Sequence, residues 1–184
     1  MRYPPSETAE KHVRILNEAL RLFRERGFPA VSISEIMKAT GLTHGSFYNH
    51  FNSKEALIAE SLDHGMYGTL ASLDRVPSTS AGRARYAKTY LSGRHRDELG
   101  TGCVISGLVA EVRQEPKARA PFTRLLKAFV EKIAFRFPWR SKESARGDSI
   151  RMVASLVGAL VLSRAVDDEA FSEEILREVR QQLS

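Results

Sequence analysis

Residues 32–51 read SISEIMKATGLTHGSFYNHF, and the way this stretch is parsed decides the fold. Ser32 can cap a helix, and Glu35 three residues later completes the pattern of a capping box. Ile33, Ile36 and Met37 then fall on one helical face. Gly41 ends that helix, because glycine accepts the left-handed backbone that helix termini often need. Thr43 can cap the next helix through its hydroxyl. Phe47 and Phe51, four residues apart, share a buried stripe. His44, Ser46, Tyr48, Asn49 and His50 are left on the other faces, and all five can hydrogen-bond. A helix, a glycine turn and a second helix with a polar outer face make a helix-turn-helix.

Upstream, residues 1–6 carry Pro4 and Pro5 and are expected to form an irregular arm, from which Arg2 could reach a phosphate or a minor groove. Val13, Leu16, Leu20 and Phe23 recur at three and four and predict a first helix over residues 7–26, closed by Gly27. Phe28 and Val31 plug the small core from the connecting loop. Downstream, Ser53 caps a helix over residues 54–73 that joins this head to the remaining chain. Pro77, Gly82 and three hydroxyl residues make 75–82 a loop. Five more helices are expected, over about 83–91, 103–114, 118–137, 149–166 and 168–183. Asp148 caps the fourth of these, and the segments 92–102 and 141–147 are loops. No segment alternates like a strand. The fold class is all-α with about nine helices: a three-helix helix-turn-helix head over residues 7–53 and a helical body over 54–184.

Of the 184 residues, 42% are hydrophobic, enough for a core, and no run approaches the ~18 apolar residues of a membrane span. The first residues lack the apolar centre of a signal peptide, which places the protein in the cytoplasm. Cys103 is the one cysteine, so an intrachain disulfide and a multi-cysteine zinc site are excluded. His44 and His50 lack a third metal ligand nearby, and no metal or cofactor is expected. The net charge of +6 suits a polyanionic partner. Within residues 1–60, however, eight basic side chains face seven acidic ones, so the charge excess lies elsewhere. Catalytic motifs are missing: there is no nucleophile elbow and no phosphate loop. The chain does not read as an enzyme.

The run TGLTHGSFYNHFNSKEAL (residues 40–57), with Phe23, Gly27 and Phe28 before it, closely resembles the DNA-binding domain of TetR-family transcriptional regulators. Gly41, Gly45, Phe47, Tyr48, Phe51, Lys54 and Leu57 at these spacings are its most specific part. The resemblance covers about the first third of the chain. It implies that Thr43, His44, Gly45 and Ser46 face base edges in a major groove, which admits a helix. It also implies that Tyr48, His50 and Lys54 touch phosphates, which position a protein without reading sequence. Ser32 and Asn49 complete the candidate DNA-binding set.

The same resemblance implies an effector cavity in the second domain. Met66, Tyr67, Leu70, Tyr86, Tyr90, Cys103, Leu108, Phe122, Leu126, Phe129, Met152 and Leu156 form the pool of candidate wall residues. An apolar or aromatic small molecule would suit them, and plain core packing is the alternative role for each. Cys103 begins a helix, a position that favours a reactive thiolate, with Arg94, His95 and Arg96 close in sequence; a buried gap-filling thiol is the alternative. The last two helices bring Val153, Leu156, Val157, Leu160, Val161 and Arg164 against Phe171, Ile175, Leu176 and Val179. In the resembling family two such helices per chain build a homodimer; otherwise they close the monomer's own core. A twofold dimer sets two recognition helices ~34 Å apart on a near-palindromic operator in double-stranded DNA. The function implied is a ligand-responsive regulator, a repressor released by its effector or by modification of Cys103. A helical dimerisation or adaptor protein without specific DNA binding is the alternative.

Overall fold

The computed structural model describes residues 5–183. Among them lie nine α-helices, one 3-10 helix and no strand. Helix α1 (Pro5–Arg26) starts two residues before the expected position. A proline fits a first helical turn because its missing N–H has no partner there. Arg2 and Pro4, and with them most of the expected arm, fall outside the described residues.

The head is α1, α2 (Ile33–Ala39) and a 3-10 helix over His44–Asn49. Its core is aromatic: Phe23 and Phe47 are fully buried, and Phe23 meets Phe28 edge-on at 5.2 Å. Burying each such ring stabilises the fold by about 1.5–3 kcal/mol. The inner stripe of α1 is Ile15, Leu16, Ala19, Leu20, Leu22 and Phe23; Val13, expected there, is 44% exposed. Both turns of the head use glycines with left-handed backbone, Gly27 at φ 78° and Gly41 at φ 70°. That conformation costs any residue with a Cβ about 1–2 kcal/mol.

Helix α3 (Lys54–Asp74) belongs to head and body alike. Ser53 caps it by accepting from the Ala56 N–H, and the helix packs on α1 and on α7 (Pro116–Arg136). The rest of the body is α4 (Ser80–Tyr90), α5 (Gly93–Asp97), α6 (Val104–Gln114), α8 (Lys142–Ala165) and α9 (Glu169–Gln182).

Four boundaries differ from the sequence expectation. Helix α4 begins at Ser80 because Thr79 caps it through the Gly82 N–H. Helix α5 forms inside the expected loop, capped by Ser92. Helix α7 starts at Pro116 itself, with Glu115 as its cap. Helix α8 starts at Lys142 rather than Ser149, because Ser141 and Ser144 cap each other reciprocally, and Asp148 lies within the helix.

Candidate nucleic-acid interface and interdomain cavity

Ser32 caps α2 by accepting from the Glu35 N–H at 3.2 Å, while the Glu35 carboxylate takes both ends of the Arg26 guanidinium at 2.6 and 2.7 Å. This fork ties α1 to α2. After Gly41 the chain forms a tight 3-10 helix instead of an α-helix, and the Thr43 hydroxyl does not cap it. Ser46 donates back to the Thr43 carbonyl at 2.7 Å. Phe47 anchors the element in the core.

Thr43, His44, Gly45, Tyr48 and Asn49 are left on the outside, with Tyr48 60% exposed. A Cβ added at Gly45 would meet nothing within 4 Å, so the protein's own packing does not require this glycine. His44 stands edge-on to Tyr48 at 6.1 Å. His50 is half-buried beside Phe51 and His12, and burial, then the charge of His12, pushes its pKa below the ordinary histidine value. His12 stacks on Phe51 at 4.5 Å and bonds Glu60 at 2.6 Å. Lys54 is turned inward: its ammonium donates to the Phe28 carbonyl at 2.5 Å, and burial lowers its pKa.

A cavity of about 760 Å³ opens where head meets body. Asn17, Leu20 and Arg24 of α1 form one wall; His64, Tyr67 and Thr69 of α3, Tyr86 and Tyr90 of α4, and the segment from Ser92 to Val104 form the others. Of the expected wall residues, Tyr67, Tyr86, Tyr90 and Cys103 line it. Leu108, Phe122, Phe129, Met152 and Leu156 instead fill the core, and Met66, Leu70 and Leu126 pack half-buried against that core. Asn17, Arg24 and His64, which the sequence reading passed over, and His95, which it placed only beside Cys103, also line the cavity.

His95 shapes the rim. Its Nδ1 lies 2.7 Å from the Tyr90 carbonyl, and its Nε2 accepts from the Cys103 N–H at 3.0 Å. A carbonyl only accepts, so Nδ1 carries the proton and the ring is neutral. Burial lowers its pKa. Cys103 is the N-cap of α6 and half-buried, and its thiol makes no capping bond. Arg24 lines the cavity together with Cys103, and the expected Arg94 and Arg96 are engaged elsewhere. Arg94 is bound to Glu98 at 2.8 Å, and Arg96 to Asp97 at 2.7 Å and Glu173 at 2.9 Å. Arg164 donates to the carbonyls of Arg96 and His95, so it pins α8 to α5.

On the last two helices, Val153, Leu156, Leu160 and Leu176 are buried within the chain. Val157, Val161, Ile175 and Val179 are half-buried, and Phe171 is 48% exposed. Ile150 and Leu162, 48% and 58% exposed, extend this outer apolar strip. Among the described residues no helix is long and apolar enough to cross a membrane, and no group of three His, Cys, Asp or Glu side chains could hold a metal ion.

Residues 15–61 match the family model described as bacterial regulatory proteins, tetR family. The HTH-type regulator UidR of Escherichia coli K12 is 25% identical over 173 residues, 94% of this chain and 88% of that one. YerO of Bacillus subtilis, an HTH-type regulator, is 35% identical over 74 residues, 40% of this chain but only 26% of YerO; for YvdT of the same organism the match spans 34% of the relative. Among solved structures, reduced NemR of E. coli shares the fold with a TM-score of 0.79 at 19% identity, covering 95% of each chain. A TetR-family regulator of Agrobacterium tumefaciens does so with 0.75 at 20% identity, covering 96% of this chain and 98% of that one. The head matched by the family model is the one whose packing, turns and outward polar row are described above, and over this head the chain is similar to the bacterial regulatory proteins of the tetR family.

Proposed function

We propose that this protein is a DNA-binding transcriptional regulator that acts as a dimer, represses, and releases its operator when the interdomain cavity is filled. The outward row on the 3-10 helix carries this reading: hydrogen-bonding side chains stand beside a glycine that internal packing does not need. Thr43, His44, Gly45, Ser46 and Asn49 would face bases, and Tyr48 and His50 phosphates. Lys54 would have to leave the Phe28 carbonyl to reach a phosphate; where it sits it fixes the start of α3 against the head. The domain division falls at residues 53–54, with α3 shared mechanically by both parts.

The outer strip of Ile150, Val157, Val161, Leu162 and Phe171 would meet its own copy across a twofold axis. An effector with higher affinity for a body conformation that misplaces the two heads would shift the population off DNA, and DNA would weaken effector binding reciprocally. Cys103 lines the same cavity, so alkylation of its thiol by an electrophilic ligand is a second route to release. Unchanged release by an electrophile in Cys103→Ser would remove that route.

Salt-dependent binding to the DNA flanking the gene tests the main reading. A specific site should hold at least about a thousandfold more tightly than random DNA of equal length. Equal affinity for both would favour the adaptor reading instead.

A further inference from the structure

The cavity contains an unmatched cation. Arg24 projects from α1 with its stem passing over Gly107, and its terminal nitrogen donates to the Gly100 carbonyl. Among the described residues its Nε is buried with no partner, and no carboxylate forms an ion pair with its guanidinium. The neighbouring acids are already engaged: Glu25 with Arg21 at 2.8 Å, and Glu98 with Arg94 at 2.8 Å. Across the cavity, Tyr90 is 5% exposed, and its hydroxyl is likewise buried without a partner. The Ser106 hydroxyl near it donates to the Cys103 carbonyl. Unpartnered buried donors are costly in a folded protein. Arg24 and Tyr90 border the same cavity, and an acceptor that reached both would match the two donors, a negatively charged one most strongly.

We propose that the ligand of this cavity is a small molecule with an oxyanion end, a carboxylate or its equivalent, held between Arg24 and the Tyr90 hydroxyl. Its apolar body lies along Leu20, Val104 and the Tyr86 ring. This rests on the effector reading given above and narrows it: a neutral aromatic or aliphatic molecule leaves both donors unsatisfied. The seat also explains how the head would sense the ligand. Arg24 belongs to α1 of the DNA-binding head, whereas Tyr90 belongs to the body, so the anion bridges the two. In binding Arg24 it competes with the Gly100 carbonyl for the same guanidinium.

The test uses matched acids and primary amides on the full-length protein. Octanoate, decanoate and 4-phenylbutyrate are compared with octanamide, decanamide and 4-phenylbutanamide by calorimetry at constant ionic strength. At least one acid should bind about tenfold or more tightly than its amide, because a charged acceptor strengthens both hydrogen bonds. Arg24→Gln should abolish that preference. Tyr90→Phe should reduce it while leaving the unliganded melting temperature unchanged or raised, since it removes only an unpartnered hydroxyl; a purely structural Tyr90 would show the reverse. Equal affinity for acids and amides, an undiminished preference in both variants, or no binding by any acid at millimolar concentration would overturn the proposal. Operator binding by the unliganded protein is measured separately. If it fails while acid binding holds, the regulatory reading falls and the ligand assignment stands.

Discussion

Replacing His95 by alanine removes the one side chain that closes the rim of the cavity, and its cost can be worked from the contacts. The ring satisfies two groups at once, the Tyr90 carbonyl at the end of α4 and the Cys103 N–H at the start of α6. Each group left buried and unpaired costs about 1–3 kcal/mol. The edge-on contact with the Tyr90 ring, at 4.6 Å, contributes roughly 0.5–1.5 kcal/mol more. The adjoining cavity admits water, which offsets part of the loss, so about 3–4 kcal/mol is expected. For a chain of this size that corresponds to roughly 6–16 °C in Tm, read by calorimetry at pH 8 where the ring is neutral in both states. The pH dependence supplies a second readout with a definite sign. Burial holds the folded-state pKa of His95 below its ordinary value. The unfolded chain therefore takes up the proton first, near pH 6.5, and the folded chain only at lower pH. The contribution of His95 is fully present above about pH 6.5 and falls as the pH drops through that window. The stability difference between the wild type and His95→Ala should accordingly shrink on acidification from pH 7.5 to 5.5. A loss below about 1 kcal/mol at pH 8, or a difference that grows on acidification, would refute the assignment of a neutral, doubly bonded ring.

Three further outcomes are expected. Gly27→Ala should cost about 2 kcal/mol or more, beyond the ~1 kcal/mol of Gly41→Ala, although both glycines have left-handed backbone. A Cβ at Gly27 would meet the Glu111 carboxylate at 2.9 Å and push it off the Phe28 N–H, whereas at Gly41 it meets nothing; equal thermal shifts would contradict this. Tyr48→Ala should change stability by less than about 0.5 kcal/mol, because the side chain is 60% exposed, yet weaken binding to all DNA sequences alike while leaving the salt slope unchanged, since a neutral phenol releases no counterion. Leu162→Asp should leave the monomer folded but prevent pairing in sedimentation and weaken operator binding, while Leu160→Asp, at a fully buried position, should unfold the chain. A dimeric Leu162→Asp protein would move the pairing surface elsewhere.

The head was legible in the sequence because its signals are local. Ser32, Gly41 and the Phe47–Phe51 spacing each act within one turn of backbone, and each sits where it was expected. The boundaries that were missed lie at caps the reading did not pick out among several polar candidates, such as Thr79, the Ser141–Ser144 pair and Glu115. The cavity walls were hardest to read, for a physical reason. An inventory of apolar residues selects those that gain most from leaving water, and these go to the core, as Leu108, Leu156 and Met152 do. A cavity is lined by what the core cannot absorb. Arg24 was invisible as a wall residue because, from sequence, a basic side chain on an amphipathic helix belongs to the solvent face. Only the tertiary arrangement turns it under Gly100.

That arrangement bears on how a signal would pass from body to head. Helix α1 is held by side-chain ties as well as by its packing: Arg24 to the Gly100 carbonyl, Glu111 to the Phe28 N–H just past its C-terminus, and, on α3, His64 to Asn17 at 2.8 Å and Glu60 to His12 at 2.6 Å. Two of them, Arg24 and the His64–Asn17 pair, also line the cavity. A ligand there need not transmit its effect along the whole length of α3, since it touches α1 directly. The requirement on its energetics is modest. Shifting the balance between DNA-competent and incompetent states tenfold takes ~1.4 kcal/mol of differential affinity, which is about the net worth of one hydrogen bond to a charged group. Arg24, transferred from the Gly100 carbonyl to an anion, would contribute only the excess of a charged over a neutral acceptor to that difference. On the proposed reading the head, nearly charge-balanced, would rely on a few placed contacts, which a small reorientation of α1 would spoil.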